Sequence, residues 1–172
     1  VPRTGRLPNL HAPPGFRARD GRDLAVTLGV DVASDGVRIP VALARVERVA
    51  LHVLRAERVR HALLSITFVT DRRIAALNRL HLGHRGPTDV ISFGFARASR
   101  REALIGDVYV APSVARRNAA AAGRGIREEL LRLVVHGVLH VVGHDHPVDD
   151  GRYDSPMWRR QERLLRTAVT DG

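Results

Sequence analysis

The stretch from Ile126 to Val142 narrows the fold more than any other segment. Leu130, Leu131, Leu133, Val134, Val135, Val138, Leu139, Val141 and Val142 leave a helix there almost no polar face. A helix that is apolar nearly all round has to be buried. Glu128 and Glu129 fall in its first turn, where carboxylates suit the helix dipole. Gly143 follows its last residue, where glycine readily takes the left-handed conformation that ends a helix.

Two histidines interrupt this apolar run. His136 and His140 lie four apart, so a helix projects both imidazoles from one face, one turn apart. Buried ring nitrogens are costly unless something satisfies them. The turn at Gly143 can return His146 toward the pair, giving three nitrogen ligands around one ion. The expected set is therefore His136, His140 and His146, in a cleft at the end of a buried helix. Three protein ligands leave a fourth position for water, the pattern of a catalytic zinc site, and no further catalytic residue is assigned. Imidazole suits zinc, copper or nickel better than magnesium or calcium. The competing reading is three histidines with ordinary hydrogen-bond partners. His144, next to the turn, is the weaker candidate for third ligand and is expected to line the cleft.

Helical zinc peptidases place a glutamate directly after the first histidine as general base, whereas Gly137 stands there in this chain. Asp107, Asp145 and Asp149 are the candidate substitutes. A helix-interior glycine costs up to about 1 kcal/mol relative to alanine, so Gly137 is expected to let a substrate or a neighbouring backbone approach the metal.

Around this helix the hydrophobic periods alternate between 2 and 3.6. Residues 1–21 carry four prolines and no such period, and read as a mobile N-terminal extension. A single metallo-hydrolase domain is expected over 22–172. Strands are read from Leu24, from Leu63 to Val69, from Asp89 to Phe93, and from Leu104 to Val110. Helices are read from Pro40 to about Val59, from a cap at Thr70 or Asp71 to near Gly83, from Pro112 to Gly123, and over about Ser155 to Val169 with Trp158, Leu164 and Leu165 inward. Four strands and five helices make an α+β layer fold.

With 28 basic against 18 acidic residues the formal charge is +10, which favours polyanionic partners such as nucleic acid. All 28 are arginine and they are scattered, so compositional bias is the competing explanation. The absence of cysteine excludes disulfides, thiolate metal sites and cysteine nucleophiles, and fits a reducing compartment. No run reaches the length of a membrane span and Val1–Pro8 offers no secretory apolar region, so a cytoplasmic protein with no membrane association is expected.

The segment His136-Gly-Val-Leu-His140-Val-Val-Gly143-His144-Asp145-His146 resembles the signature of the YbeY family of bacterial rRNA-maturation endoribonucleases. Leu77-Asn78, Pro87-Thr88-Asp89-Val90-Ile91-Ser92-Phe93 and Gly106-Asp107-Val108 are similar to further family blocks, in matching order and spacing. The resemblance covers about Asp23 to Val169. It implies a mixed four-stranded sheet with helices around it, and one Zn2+ per chain on the three histidines. It also implies single-strand-specific endoribonuclease activity in 16S rRNA 3′-end maturation and ribosome quality control, with the 16S precursor and the small ribosomal subunit as partners.

Three positions depart from the family pattern. His144 stands for a tyrosine, Gly94 for a proline, and Leu82 for the arginine thought to meet RNA. Arg85 offers a cation from a neighbouring loop position, the alternative being a solvated arginine. Two other functions remain open. The His-x3-His-x5-His spacing is shared with metzincin peptidases, against which Gly137 and the basic charge count. A ribosome-binding protein with a structural metal is the other.

Overall fold

The structure is a computed structural model that describes residues 27–97, 99, 102–146 and 153–170. The proposed N-terminal extension, the first residues of the first strand, and Asp149 lie outside the described residues.

Strands β1 (Thr27–Ser34), β2 (His61–Phe68), β3 (Val90–Gly94) and β4 (Leu104–Val110) form one mixed sheet in the order β1-β2-β4-β3. β1 and β2 run parallel, with Thr27 opposite His61, and β2 and β4 run parallel, with Ala62 opposite Leu104. β3 closes the edge antiparallel to β4, with Val90 opposite Val110. Five α-helices complete the described fold: α1 (Leu43–Ala56), α2 (Asp71–Leu77), α3 (Pro112–Ala121), α4 (Ile126–Val142) and α5 (Pro156–Thr170). This is the α+β arrangement expected from the alternating periods.

α4 is the centre of the molecule, packed on β3 and β4 and flanked by α1, α3 and α5. The alternation of β4 explains the seat: Leu104, Gly106, Val108 and Val110 are buried beneath the helix, and Ile105, Asp107 and Tyr109 face the other way. Leu130, Val134, Val135, Val138 and Leu139 are fully buried, as a helix without a polar face requires. The approach is close enough that a Cβ on Gly137 would lie 2.5 Å from Val108 Cγ1 and 3.1 Å from Ser92 Oγ. The space at Gly137 is thus filled by side chains of the sheet, and not by the substrate or neighbouring backbone that the sequence suggested.

The start of one helix differs from expectation. α1 starts at Leu43 and not at Pro40, because Ala42 is extended (ψ 137°). That extension buries Val41 ahead of the helix, in the same core as Val46, an arrangement of the hydrophobic-staple kind. α2 is capped by the Thr70 side chain, which accepts from the Arg73 amide at 3.3 Å. It then widens into a π-helical turn over Asn78–Leu82 before Gly83, at φ 72°, ends it. Asn78 is buried there and its Nδ2 donates to the Gly86 carbonyl at 2.9 Å, tying the following loop to the helix. Among the described residues no helix is long and apolar enough to cross a membrane.

Candidate metal centre

The helical spacing and the turn after α4 do what the sequence required of them. Gly143 adopts φ 111°; its amide donates to the His140 carbonyl at 3.0 Å, and the His144 amide donates to the Leu139 carbonyl at 3.0 Å. These two bonds are a Schellman cap, which reverses the chain over one residue. The reversal carries His146 back to the helix, where the Asp145 carboxylate accepts from its backbone N–H at 2.8 Å.

The three imidazoles then converge. His136 Nε2 lies 3.1 Å from His140 Nε2 and 3.4 Å from His146 Nε2. One ligand atom from each of the three lies within 4.8 Å of the others. Tetrahedral zinc, with Zn–N of about 2.0–2.1 Å, needs its nitrogens about 3.4 Å apart. The donor set and its spacing therefore fit one small cation.

Which nitrogen of His136 faces that point is fixed by α5. His136 Nδ1 is 2.8 Å from Gln161 Oε1, and Gln161 is 1% exposed. The Gln161 amide is itself oriented, because its Nε2 donates to Glu162 Oε1 at 3.0 Å. So Oε1 must be the atom that meets His136, Nδ1 carries the hydrogen, and Nε2 is left with its lone pair. Glu162 is held in turn by Arg132, whose Nε donates to Glu162 Oε1 at 2.9 Å. Arg132 is buried and also binds Glu129 at 2.9 Å and Glu128 at 2.6 Å. Burial pushes Glu162 up, but the Arg132 guanidinium and the Gln161 amide outweigh it and hold the carboxyl below its ordinary value. Burial, then the neighbouring His140, depresses His136 to about 4. His140 is lowered by burial and by His146, against a hydrogen bond to the His144 backbone. Both rings are thus neutral near pH 7, the form that ligates metal.

The family model described as Endoribonuclease YbeY matches residues 33–169. The chain belongs to the YbeY endoribonuclease family. An endoribonuclease YbeY of Frankia alni is 37% identical over 149 residues, covering 80% of this chain and 81% of the relative. One from Thermobifida fusca is 34% identical over 147 residues, covering 80% and 92%. A solution structure from Thermotoga maritima aligns at a TM-score of 0.55 and 22% identity, over 83% of this chain and 90% of that one, a likeness of fold.

In this YbeY-family chain His136 and His146 line a cleft of about 420 Å3. Asp89, Asn118, Arg124, Tyr153 and Trp158 line it with them. Asp89 was visible in the sequence only as a letter of a motif. Here its Oδ1 accepts from the Val90 amide at 2.9 Å and its Oδ2 from Asn118 at 3.0 Å. Trp158, expected to point inward, is half-buried and lines the cleft, in edge contact with Tyr153 at a centroid distance of 4.8 Å. Leu164 and Leu165 are buried as expected, together with Met157 and Gln161 of α5.

His144 does not join the three. Its Nε2 lies 2.9 Å from Glu57 Oε2, and Arg160 Nε donates to the other oxygen of Glu57 at 2.7 Å. Asp107 stands on the sheet face turned away from α4, its carboxyl raised by burial against a hydrogen bond with Ser65. Arg85 lies outside the histidine cleft and shares a shallow surface with Arg72 and Arg79. Leu82, the family's arginine position, is 50% exposed. Gly94 lets β3 end against α4, since a Cβ there would lie 3.2 Å from the Val141 carbonyl oxygen.

Proposed function

We propose that this chain is a zinc-dependent, single-strand-specific endoribonuclease of the cytoplasm, acting on the 16S rRNA precursor in 3′-end maturation and ribosome quality control. The observation that carries the reading is the convergence of the Nε2 atoms of His136, His140 and His146 near tetrahedral spacing beside an open cleft. Membership of the YbeY endoribonuclease family supplies the substrate class. His136, His140 and His146 hold one Zn2+, which when bound supplies Lewis acidity toward a phosphoryl oxygen and acidifies water. Gln161 keeps the His136 lone pair directed at that position. Tyr153 and Trp158 present ring faces on which unpaired bases stack, which favours single strands over duplex. Arg85, with Arg72 and Arg79 beside it, contributes a cation to the incoming backbone in place of the arginine lost at Leu82.

The test is zinc content of the untagged protein together with cleavage of single-stranded RNA, duplex RNA and casein. One zinc per chain, lost on changing His136, His140 or His146 to alanine, and cleavage confined to single-stranded RNA are expected. Small-subunit particles carrying precursor 16S rRNA should be shortened at the 3′ end. Hydrolysis of casein without hydrolysis of RNA would overturn the reading in favour of a peptidase. Full zinc occupancy without any turnover would favour a structural metal.

A further inference from the structure

A separate concave surface of about 350 Å3 adjoins the C-terminal turn of α4 and shares no lining residue with the histidine cleft. Arg58, Arg60, Arg97 and His144 line it, and Glu57 is its single acidic residue. Glu57 is already satisfied, one carboxylate oxygen by Arg160 and the other by His144. None of Arg58, Arg60 or Arg97 pairs with a carboxylate among the described residues. The surface therefore keeps an unbalanced positive charge.

The backbone at Arg58 adds an independent observation. Its amide donates to the Arg55 carbonyl at 3.0 Å and the Val59 amide donates to the Leu54 carbonyl at 2.9 Å, closing α1 with a Schellman cap. The residue at the centre of that cap is left-handed, and Arg58 sits there at φ 56°, the one non-glycine with positive φ among the described residues. The equivalent position after α4 is glycine, Gly143. A side chain in this conformation costs on the order of 1 kcal/mol relative to glycine, and such strain clusters where a side chain has a task. The strained residue here is one of the three cations that line the concavity.

The location relates this surface to the metal centre. His144 is two residues before His146, and its backbone hydrogen-bonds His140. The concavity and the three-histidine site thus share one turn of chain, Gly143 and His144 lining the first and His146 belonging to the second.

We propose that Arg58, Arg60 and Arg97 form a phosphate-binding subsite for the single-stranded RNA backbone flanking the bond at the histidine centre. This rests on the ribonuclease reading above. Direct arginine–phosphate contacts release counterions, so they are measured by salt dependence.

The experiment uses the full chain in chelator, so that RNA is bound and not cut, with a short 5′-fluorescein-labelled oligouridylate and anisotropy titrations across a salt series. Each phosphate contact to a single strand contributes about 0.7 to the slope of log K against log salt. Changing Arg58→Gly, Arg60→Ala and Arg97→Ala together should make the slope shallower by about 2, and Arg163→Ala, an exposed charge on α5, should leave it unchanged. Arg58→Gly alone should lower the slope by about 0.7 and keep or raise the melting temperature, since glycine relieves the backbone strain. Loss of affinity in that variant then cannot come from misfolding. A wild-type slope retained in the triple variant overturns the subsite and leaves the ribonuclease reading standing. Wild-type protein that neither binds the oligouridylate nor, with zinc, cleaves it overturns both.

Discussion

Gln161 Oε1 stands 2.8 Å from His136 Nδ1, and this contact from α5 decides which nitrogen of the first histidine faces the other two. The amide has no freedom to turn, because its other end donates to Glu162, which Arg132 holds. A buried arginine with three carboxylates around it thus reaches His136 through two intermediates, Glu162 and Gln161.

Replacing Gln161 with methionine, similar in size but unable to accept the Nδ1 hydrogen, should weaken zinc binding by roughly 10- to 100-fold, the usual cost of losing a partner that orients a ligand. Competition against a chromophoric chelator reads this directly. Wild-type affinity in Gln161→Met would show that the tautomer is set some other way.

The metal-free protein should be acid-sensitive in a defined window. Burial, then His140, hold His136 at about 4 in the folded chain, against about 6.5 when unfolded. Between those values the unfolded state binds more protons, so stability falls as pH falls, by at most about 1.4 kcal/mol per pH unit for one group. Melting temperatures in chelator should drop from pH 6.5 toward 4, and His136→Asn should flatten the drop, leaving the part due to His140. Parallel curves for wild type and variant would contradict a ring held neutral in the fold.

The long apolar helix, its two histidines and the glycine that ends it were legible because all three signals are local. A period of 3.6, a spacing of four and a residue tolerant of positive φ each act within a turn or two of chain. Gln161 was not legible, since it lies 25 residues from His136 and nothing in an isolated glutamine signals an imidazole partner. Asp89 and Trp158 were hidden for the same reason, as the cleft is assembled from β3, α3, α4 and α5 at once. Nor does periodicity say which strands pair, so the insertion of β4 between β2 and β3 emerged only in three dimensions. Arg132 follows Glu128 and Glu129 at helical spacing, but nothing in the run signalled its third carboxylate, Glu162 on α5.

Gly137 invites a paired test. An alanine there gains up to about 1 kcal/mol in helix propensity. Its Cβ, however, would lie 2.5 Å from Val108 Cγ1, and overpacking of this kind costs about 1–3 kcal/mol. Gly137→Ala should be less stable in urea unfolding, and combining it with Val108→Ala should cost less than the sum of the two single losses, because the smaller side chain opens the space that the new methyl needs. Two purely additive losses would mean that Val108 is not the obstacle.

Trp158 is the single tryptophan of the chain and lines the cleft beside His136 and His146, so its emission reports what enters there. If unpaired bases stack on it, titrating chelator-treated protein with oligouridylate should quench that emission with the same midpoint as the anisotropy change. A stacked base contributes about 1–3 kcal/mol, so Trp158→Ala should weaken binding roughly tenfold or more. The slope of log K against log salt should not move, because no charge has been removed. That separates stacking in the cleft from phosphate contact at the arginines, where slope is lost together with affinity. Unchanged emission at saturating RNA, with unchanged affinity in Trp158→Ala, would place the bases outside this cleft.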